Sequence, residues 1–274
     1  MSIDAQLPPR LERYELKYVI PSCLVEPVSD YVLAYCGLDR HSEAAEDNFY
    51  RVNSLYFDSP NFLFLRNRMY GKDNRFNMRV RSYGWDALPP YFLEIKQKKA
   101  NVVIKYRATL SEGEWPGILN DPTYQIREDE TSLDSDNKSL FLRLATSYAA
   151  EPKILTQYRR RAFASVVDDY ARVTMDMDMD MRCYYQEAYN LLPDPHRMVP
   201  YDDETIYDWG GDPGNSVILE IKCHPTQVPT WVLDLTHHFQ LYRRSFSKYK
   251  TSLLSTLSRD SCPDIGERYS SLYT

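Results

Sequence analysis

Charged side chains recur at every second position through several segments of this 274-residue chain. Arg75, Asn77, Arg79 and Arg81 alternate with Phe76, Met78 and Val80. Glu94, Lys96 and Lys98 alternate with Leu93 and Ile95, and Lys105 and Arg107 flank Tyr106. Arg13, Glu15 and Lys17 oppose Tyr14, Leu16 and Tyr18. Arg172, Asp176, Asp178, Asp180 and Arg182 oppose Val173 and four methionines, and Glu220 and Lys222 oppose Leu219 and Ile221. Period-two alternation is that of a β-strand, so each set shares one face. Arg binds phosphate oxygens in pairs and Lys acts as a mobile point charge. Carboxylates beside them would repel phosphate unless a divalent cation joins the site, and Mg²⁺ or Mn²⁺ takes one or two carboxylates plus phosphate oxygens.

The elements that must position these residues follow from the same periodicities. Strands are expected at about 12–20, 50–57, 75–84, 91–98, 102–110, 154–166, 170–182 and 216–223. Helices are expected from Ser22 to about Leu38, Pro60 to Tyr70, Ser139 to Ala150 and Val228 to Ser245. A hairpin turn is expected at Ala100-Asn101, and the acidic stretches 111–138 and 184–215 lack periodicity and read as loops. Eight strands suggest an α+β fold closed into an antiparallel β-barrel flanked by helices. A solvated sheet face is the simpler alternative for any one strand. Repeated over many strands, the Lys/Arg content instead predicts an open, hydrated, cation-lined tunnel.

Composition narrows the class. Hydrophobic residues at 43% and charged residues at 26% fit a globular chain with a core. Mean hydropathy is −0.54 and no apolar run approaches membrane-spanning length. The N-terminus lacks a secretory pattern, and five scattered cysteines without a CxxC pair suggest free thiols in a reducing cytoplasm. The net charge of −6 argues against a general nucleic-acid binder. Basic charge is nonetheless concentrated locally. Residues 74–107 hold eight Lys/Arg and two acids, whereas 112–138 hold eight acids and two bases.

The segments ELKYVI (15–20), SLYFDS (54–59), MRVRSYG (78–84), FLEIKQK (92–98), KYRATL (105–110), YRRRAF (158–163), ARVTMD (171–176), VILEIK (217–222) and SFSKYK (245–250) occur in one order over most of the chain. In this the chain resembles the VTC (vacuolar transporter chaperone) catalytic domain, the polyphosphate polymerase branch of the triphosphate tunnel metalloenzymes. The resemblance implies an eight-stranded antiparallel tunnel domain over residues 10–257, followed by a C-terminal extension, 258–274. It implies ATP and inorganic polyphosphate as ligands and divalent Mn²⁺ or Mg²⁺ as cofactor. Carried over by motif, Lys17, Arg79, Arg81, Lys96, Arg160, Arg172 and Lys248 would be catalytic. Glu220, with Asp176 as a second ligand, would hold metal, and Tyr158 and Ser247 would contact phosphate. Lys98, Lys105, Arg107, Lys222 and Lys250 would add substrate contacts. The first acid of the ExExK opening of related hydrolases is replaced by Arg13 in RYELK, which favours the polymerase branch. Hydrolysis of tripolyphosphate or a nucleoside triphosphate and non-catalytic polyanion binding remain alternatives.

Overall fold

The computed structural model describes residues 14–99, 102–127, 129–168, 170–183, 189–192, 194, 196–201, 215–224 and 226–258. Arg13, the Ala100-Asn101 turn, much of 184–215 and all but the first residue of 258–274 lie outside them, as do the side chains of residues 179–183. The main strands are β1 (Tyr14–Pro21), β2 (Cys36–Leu38), β3 (Tyr50–Asp58), β4 (Asn74–Tyr83), β5 (Tyr91–Lys99), β6 (Val102–Leu110), β7 (Glu151–Ser165), β8 (Ala171–Cys183), β9 (Val199–Pro200) and β10 (Asn215–Cys223). Helices are α1 (Val25–Leu33), α2 (Arg40–Glu43), α3 (Leu63–Met69), α4 (Gly117–Asn120), α5 (Ser132–Ser147), α6 (Thr230–His238) and α7 (Lys248–Ser258).

The chain divides into two compact units. Unit 1 comprises residues 1–51, 157–180 and 199–251; unit 2 comprises 52–156, 181–198 and 252–274. In unit 1 the strand order is β1-β10-β8-β7, and β1 and β8 both pair antiparallel with β10. The apolar face buries Tyr18, Ile20, Val173, Met175, Leu219 and Ile221 against Val28 and Val32 of α1 and Trp231 and Leu235 of α6. In unit 2, β3-β4-β5-β6 form an antiparallel run. Its apolar face buries Met78, Val80, Leu93, Ile95 and Ala108 against Phe64 of α3 and Phe141 and Ala145 of α5. Both helices and strands therefore take the apolar faces, and the charged faces are left on the other side.

The eight strands predicted from alternation are present, but the expected barrel is not: among the described residues the strand path begins at β1, ends at β6 and does not close. Each end has another partner. The free edge of β1 is met by the segment after α6, where Tyr18 bridges Arg243 and Arg244 N–H donates to the Lys17 carbonyl at 2.7 Å. The edge of β6 is met by α5, where Asn137 Nδ2 donates to the Arg107 carbonyl at 2.8 Å and Asp134 Oδ1 accepts from Thr109 N–H at 3.0 Å. Edge groups satisfied in this way need no strand pairing to remove them.

The helices also differ from their sequence-based bounds. The segment 22–38 is a short 3-10 turn, then α1, then β2, whose Cys36-Gly37-Leu38 pair with 163–165. Helix α6 stops at His238, just before Gln240 takes φ 49°, which frees 243–244 to cover β1. Helix α5 starts within the acidic stretch 111–138. Thr131 caps it by accepting from Asp134 N–H, and an acid in the first turn suits the helix dipole. Cys23, Cys36 and Cys223 are free thiols. Burial pushes the Cys36 thiol up to about 12, where it is inert.

Candidate functional site

Both charged strand faces are partly buried, and each is built within its own unit. In unit 2 the antiparallel register sets Glu94 of β5 directly between Arg79 of β4 and Arg107 of β6. Residues opposite one another in this way share a face. Arg79 clamps Glu94 Oε2 through Nε at 2.7 Å and Nη2 at 2.6 Å, and Lys105 Nζ reaches Oε1 at 2.6 Å. Arg107 and Arg81 approach at 3.7 and 3.9 Å. Four cations thus surround one carboxylate whose side chain is only 2% exposed. Burial pushes the Glu94 carboxyl up, but Arg81, Lys105, Arg79 and Arg107 overcome that and hold it well below its ordinary value. Burial, opposed by Glu94 and reinforced by Arg107, Arg81 and Arg79, brings Lys105 down to about 7.

Neighbouring groups fix the arginines. Arg79 Nη1 donates to the Tyr56 hydroxyl at 3.0 Å, and Arg81 Nε to Ser54 Oγ at 3.4 Å. The Arg107 guanidinium lies 3.8 Å from the Phe92 ring centroid, a cation–π contact. The same β3 segment ends in Asp58, which is fully buried and accepts from Phe64 and Leu65 N–H at the start of α3. Lys96 and Lys98 continue the cationic face along β5, and both are half-buried.

In unit 1 the cross-strand rows are Glu15–Lys222–Arg172 and Lys17–Glu220–Thr174. Lys222 Nζ lies 2.6 Å from Glu220 Oε1, and Lys17 Nζ 3.3 Å from Oε2. Lys17 also donates to the Phe246 carbonyl at 3.2 Å. Arg160 of β7 grips both oxygens of Asp176, through Nε at 2.6 Å and Nη2 at 2.8 Å. Lys248, the first residue of α7, reaches Asp176 Oδ2 at 2.5 Å and sits 4.5 Å from the Tyr158 ring centroid. Asp176 is fully buried; burial raises its carboxyl, but Arg160 and Lys248 outweigh this and depress it far below the ordinary range. Burial brings Lys222 down to about 8 against the opposing charges of Glu220 and Glu15.

The residues expected from sequence divide accordingly. Arg79, Arg81, Lys105 and Arg107 meet at Glu94 in unit 2. Lys17, Lys222 and Glu220 meet in unit 1, as do Arg160, Lys248, Asp176 and Tyr158. Arg172 is turned toward Asp39, at 3.5 Å, with its side chain 42% exposed. The Ser247 hydroxyl accepts from Lys250 N–H at 3.3 Å, which caps α7, and the Lys250 side chain is half-buried on that helix. Arg159 and Arg161 flank Arg160 but turn to Asp178 and Asp47, and to Glu26 of α1, respectively. Glu94 as a hub, and Tyr56 and Ser54 as its supports, were not singled out by sequence. The alternation places Glu94 among the cations, but only strand register reveals that four of them converge there.

Among the described residues, no group of three His, Cys, Asp or Glu is arranged to cage a metal ion. Asp176 has both oxygens committed to Arg160 and Lys248. Glu220, flanked by Lys17 and Lys222, fits the role of a single carboxylate that shares a divalent ion with phosphate oxygens.

A family model described as the VTC domain matches residues 12–257, and the chain belongs to that family. Membership supports a role in handling polyphosphate or a triphosphate. No curated protein sequence matches the chain. Among solved structures, a candidate adenylate cyclase from Bacillus halodurans is 10% identical, with a TM-score of 0.48, covering 88% of this chain and 96% of its own. A protein from Pyrococcus horikoshii OT3 is 9% identical, with a TM-score of 0.42, covering 89% and 96%. No helix among the described residues is long and apolar enough to cross a membrane.

Proposed function

We propose that this chain is a polyphosphate polymerase, transferring the γ-phosphate of ATP to a growing inorganic polyphosphate chain with the aid of Mn²⁺ or Mg²⁺. The observation that carries the reading is the Glu94 cluster. Three arginines and Lys105 gathered on one carboxylate leave a surplus of positive charge that a dense polyanion would neutralise. Membership of the VTC domain family supports the same ligand class.

Phosphoryl transfer asks a protein mainly for positioning and charge stabilisation. Arg79 and Arg81 are held by Tyr56, Ser54 and Glu94, so their guanidinium charge is preorganised for phosphoryl oxygens. Arg160 is fixed by Asp176 and stands with Lys248 beside the Tyr158 ring. Lys17 and Lys222 flank Glu220, where the divalent ion would be held. When bound, that ion supplies charge neutralisation between phosphate oxygens. The attacking group would be a terminal phosphate already ionised near pH 7, so no protein base is required. Lys96, Lys98 and Arg107 would extend contacts along the β5–β6 face, and Arg172, Ser247 and Lys250 are assigned peripheral substrate contacts.

The test is incubation of the purified chain with ATP and Mn²⁺ or Mg²⁺, followed by gel detection of the product. Long polymer is expected. Orthophosphate alone would replace the reading with a hydrolase, and no turnover with any divalent metal would leave a polyanion-binding module.

A further inference from the structure

Thr174 of β8 stands in the middle of the charged face of unit 1. It is directly opposite Glu220 and lies between Arg172 and Asp176 on its own strand. The residue is 4% exposed, and among the described residues its Oγ1 has no hydrogen-bond partner. A buried hydroxyl without a partner is rare and costly, because it has given up water for nothing.

The surroundings define what is missing. A hydroxyl can accept from a Lys or Arg, but its own proton needs an acceptor, and lysine and arginine have none to offer. Glu220 is held by Lys17 and Lys222, and Asp176 by Arg160 and Lys248, and neither carboxylate accepts from the hydroxyl. A strand at this position asks only for a β-branched side chain, and valine would supply that without an unmatched polar atom. Among the described residues no acceptor serves the hydroxyl, and one that arrives with a ligand would, in a place where cations draw anions.

We infer that the Thr174 hydroxyl is a ligand-binding group that donates to an oxygen of a linked phosphate, inorganic polyphosphate or the triphosphate of a nucleotide. This rests on the phosphate reading given above and adds to it a neutral donor that discriminates by position, not by charge. A hydrogen bond from a neutral hydroxyl to an anionic oxygen is of the charge-assisted kind, worth about tenfold or more in affinity.

The test uses the full chain, with inorganic tripolyphosphate as the probe, and reads both the ligand-free melting temperature and the dissociation constant. Thr174→Val removes the hydroxyl and keeps the shape; Thr174→Ser keeps the hydroxyl. The expected result is a crossover. Thr174→Val melts at or above the wild-type temperature without ligand, because it no longer buries an unmatched group, yet binds tripolyphosphate about tenfold more weakly. Thr174→Ser binds within about threefold of wild type. A ligand-free Thr174→Val that melts well below wild type, or fails to fold, overturns the inference, because the hydroxyl would then have a partner inside the protein. Wild-type affinity in a folded Thr174→Val overturns it as well, with the phosphate reading intact. Failure of the wild-type chain to bind tripolyphosphate overturns both.

Discussion

Around Glu94, four cations share one carboxylate; around Glu220 and Asp176, four cations are matched by two. Both clusters use the same device, a strand face of alternating charges beside an apolar face packed on helices. They differ in what is left over. In unit 2 three guanidinium groups and a lysine gather on one carboxylate, so positive charge outnumbers negative there. In unit 1 the cations are largely spoken for, and the face offers carboxylate as well as cation. The first arrangement suits reception of bare anionic oxygen, and the second suits a divalent ion shared with phosphate. Paired lysines with depressed pKa values, Lys105 and Lys222, occur once in each.

The largest expected effects come from removing the hubs. Glu94→Gln leaves Arg79, Arg81, Lys105 and Arg107 without their shared anion and should cost about 3–5 kcal/mol of stability. Asp176→Asn leaves two cations, Arg160 and Lys248, without their anion, with Glu220 still on the same face, and should cost less, about 1.5–3 kcal/mol. Chemical denaturation of both variants checks the order, and Asp176→Asn emerging as the more damaging would break the contrast drawn between the clusters. Tripolyphosphate should restore much of the lost stability of Glu94→Gln, since it can supply the missing negative charge.

Arg79→Ala should fold and lose about 10²–10³ in ATP-dependent polymer synthesis, by the scale of a lost preorganised donor. Glu220→Gln should also fold, and its loss should appear as a weakened response to Mn²⁺ or Mg²⁺ in a metal titration of synthesis. Wild-type synthesis by either variant would remove that residue from the site.

Lys105 sharpens the comparison through pH. Its folded pKa of about 7 lies below the ordinary 10.5. Between those values the unfolded chain carries a proton that the folded chain lacks, so this residue makes stability rise with pH across that window. Glu94, held well below its ordinary value, stays charged throughout that window. Lys105→Met should flatten the rise in melting temperature between pH 7 and 9. Tripolyphosphate binding at pH 8 should take up protons in wild type, read by calorimetry in buffers of different ionisation enthalpy, and take up fewer in Lys105→Met. The smallest electrostatic effect is expected from Phe92→Leu, which removes the ring beneath the partly exposed Arg107 and with it a cation–π contribution of about 0.5–1 kcal/mol.

The strands and the placement of the charges are legible in the sequence because alternation is a local property. Arg79 and Met78 must point to opposite faces wherever the strand goes. Closure is not local. Whether β1 and β6 meet depends on what else reaches their edges, and here Arg243-Arg244 and the Asn137 and Asp134 side chains do so. Nothing in those residues marks them as edge covers. The start of α5 is hidden for a related reason: Asp134 and Asn137 read as loop residues until their partners on Thr131 and β6 are known. Convergence on Glu94 is likewise a matter of register, since Arg79 and Arg107 are brought to it by the pairing of β5 with both neighbours. Thr174 looks unremarkable in ARVTMD, and only its burial without a partner draws it out.

The central claim is that charged strand faces held out of bulk water are built for linked phosphate. A calorimetric titration of inorganic tripolyphosphate into wild type, Arg79→Ala and Lys17→Met tests it directly, with one variant in each unit. The account predicts wild-type binding that each variant weakens by about tenfold or more. Equal affinity in all three folded proteins, or no binding by wild type, would contradict it.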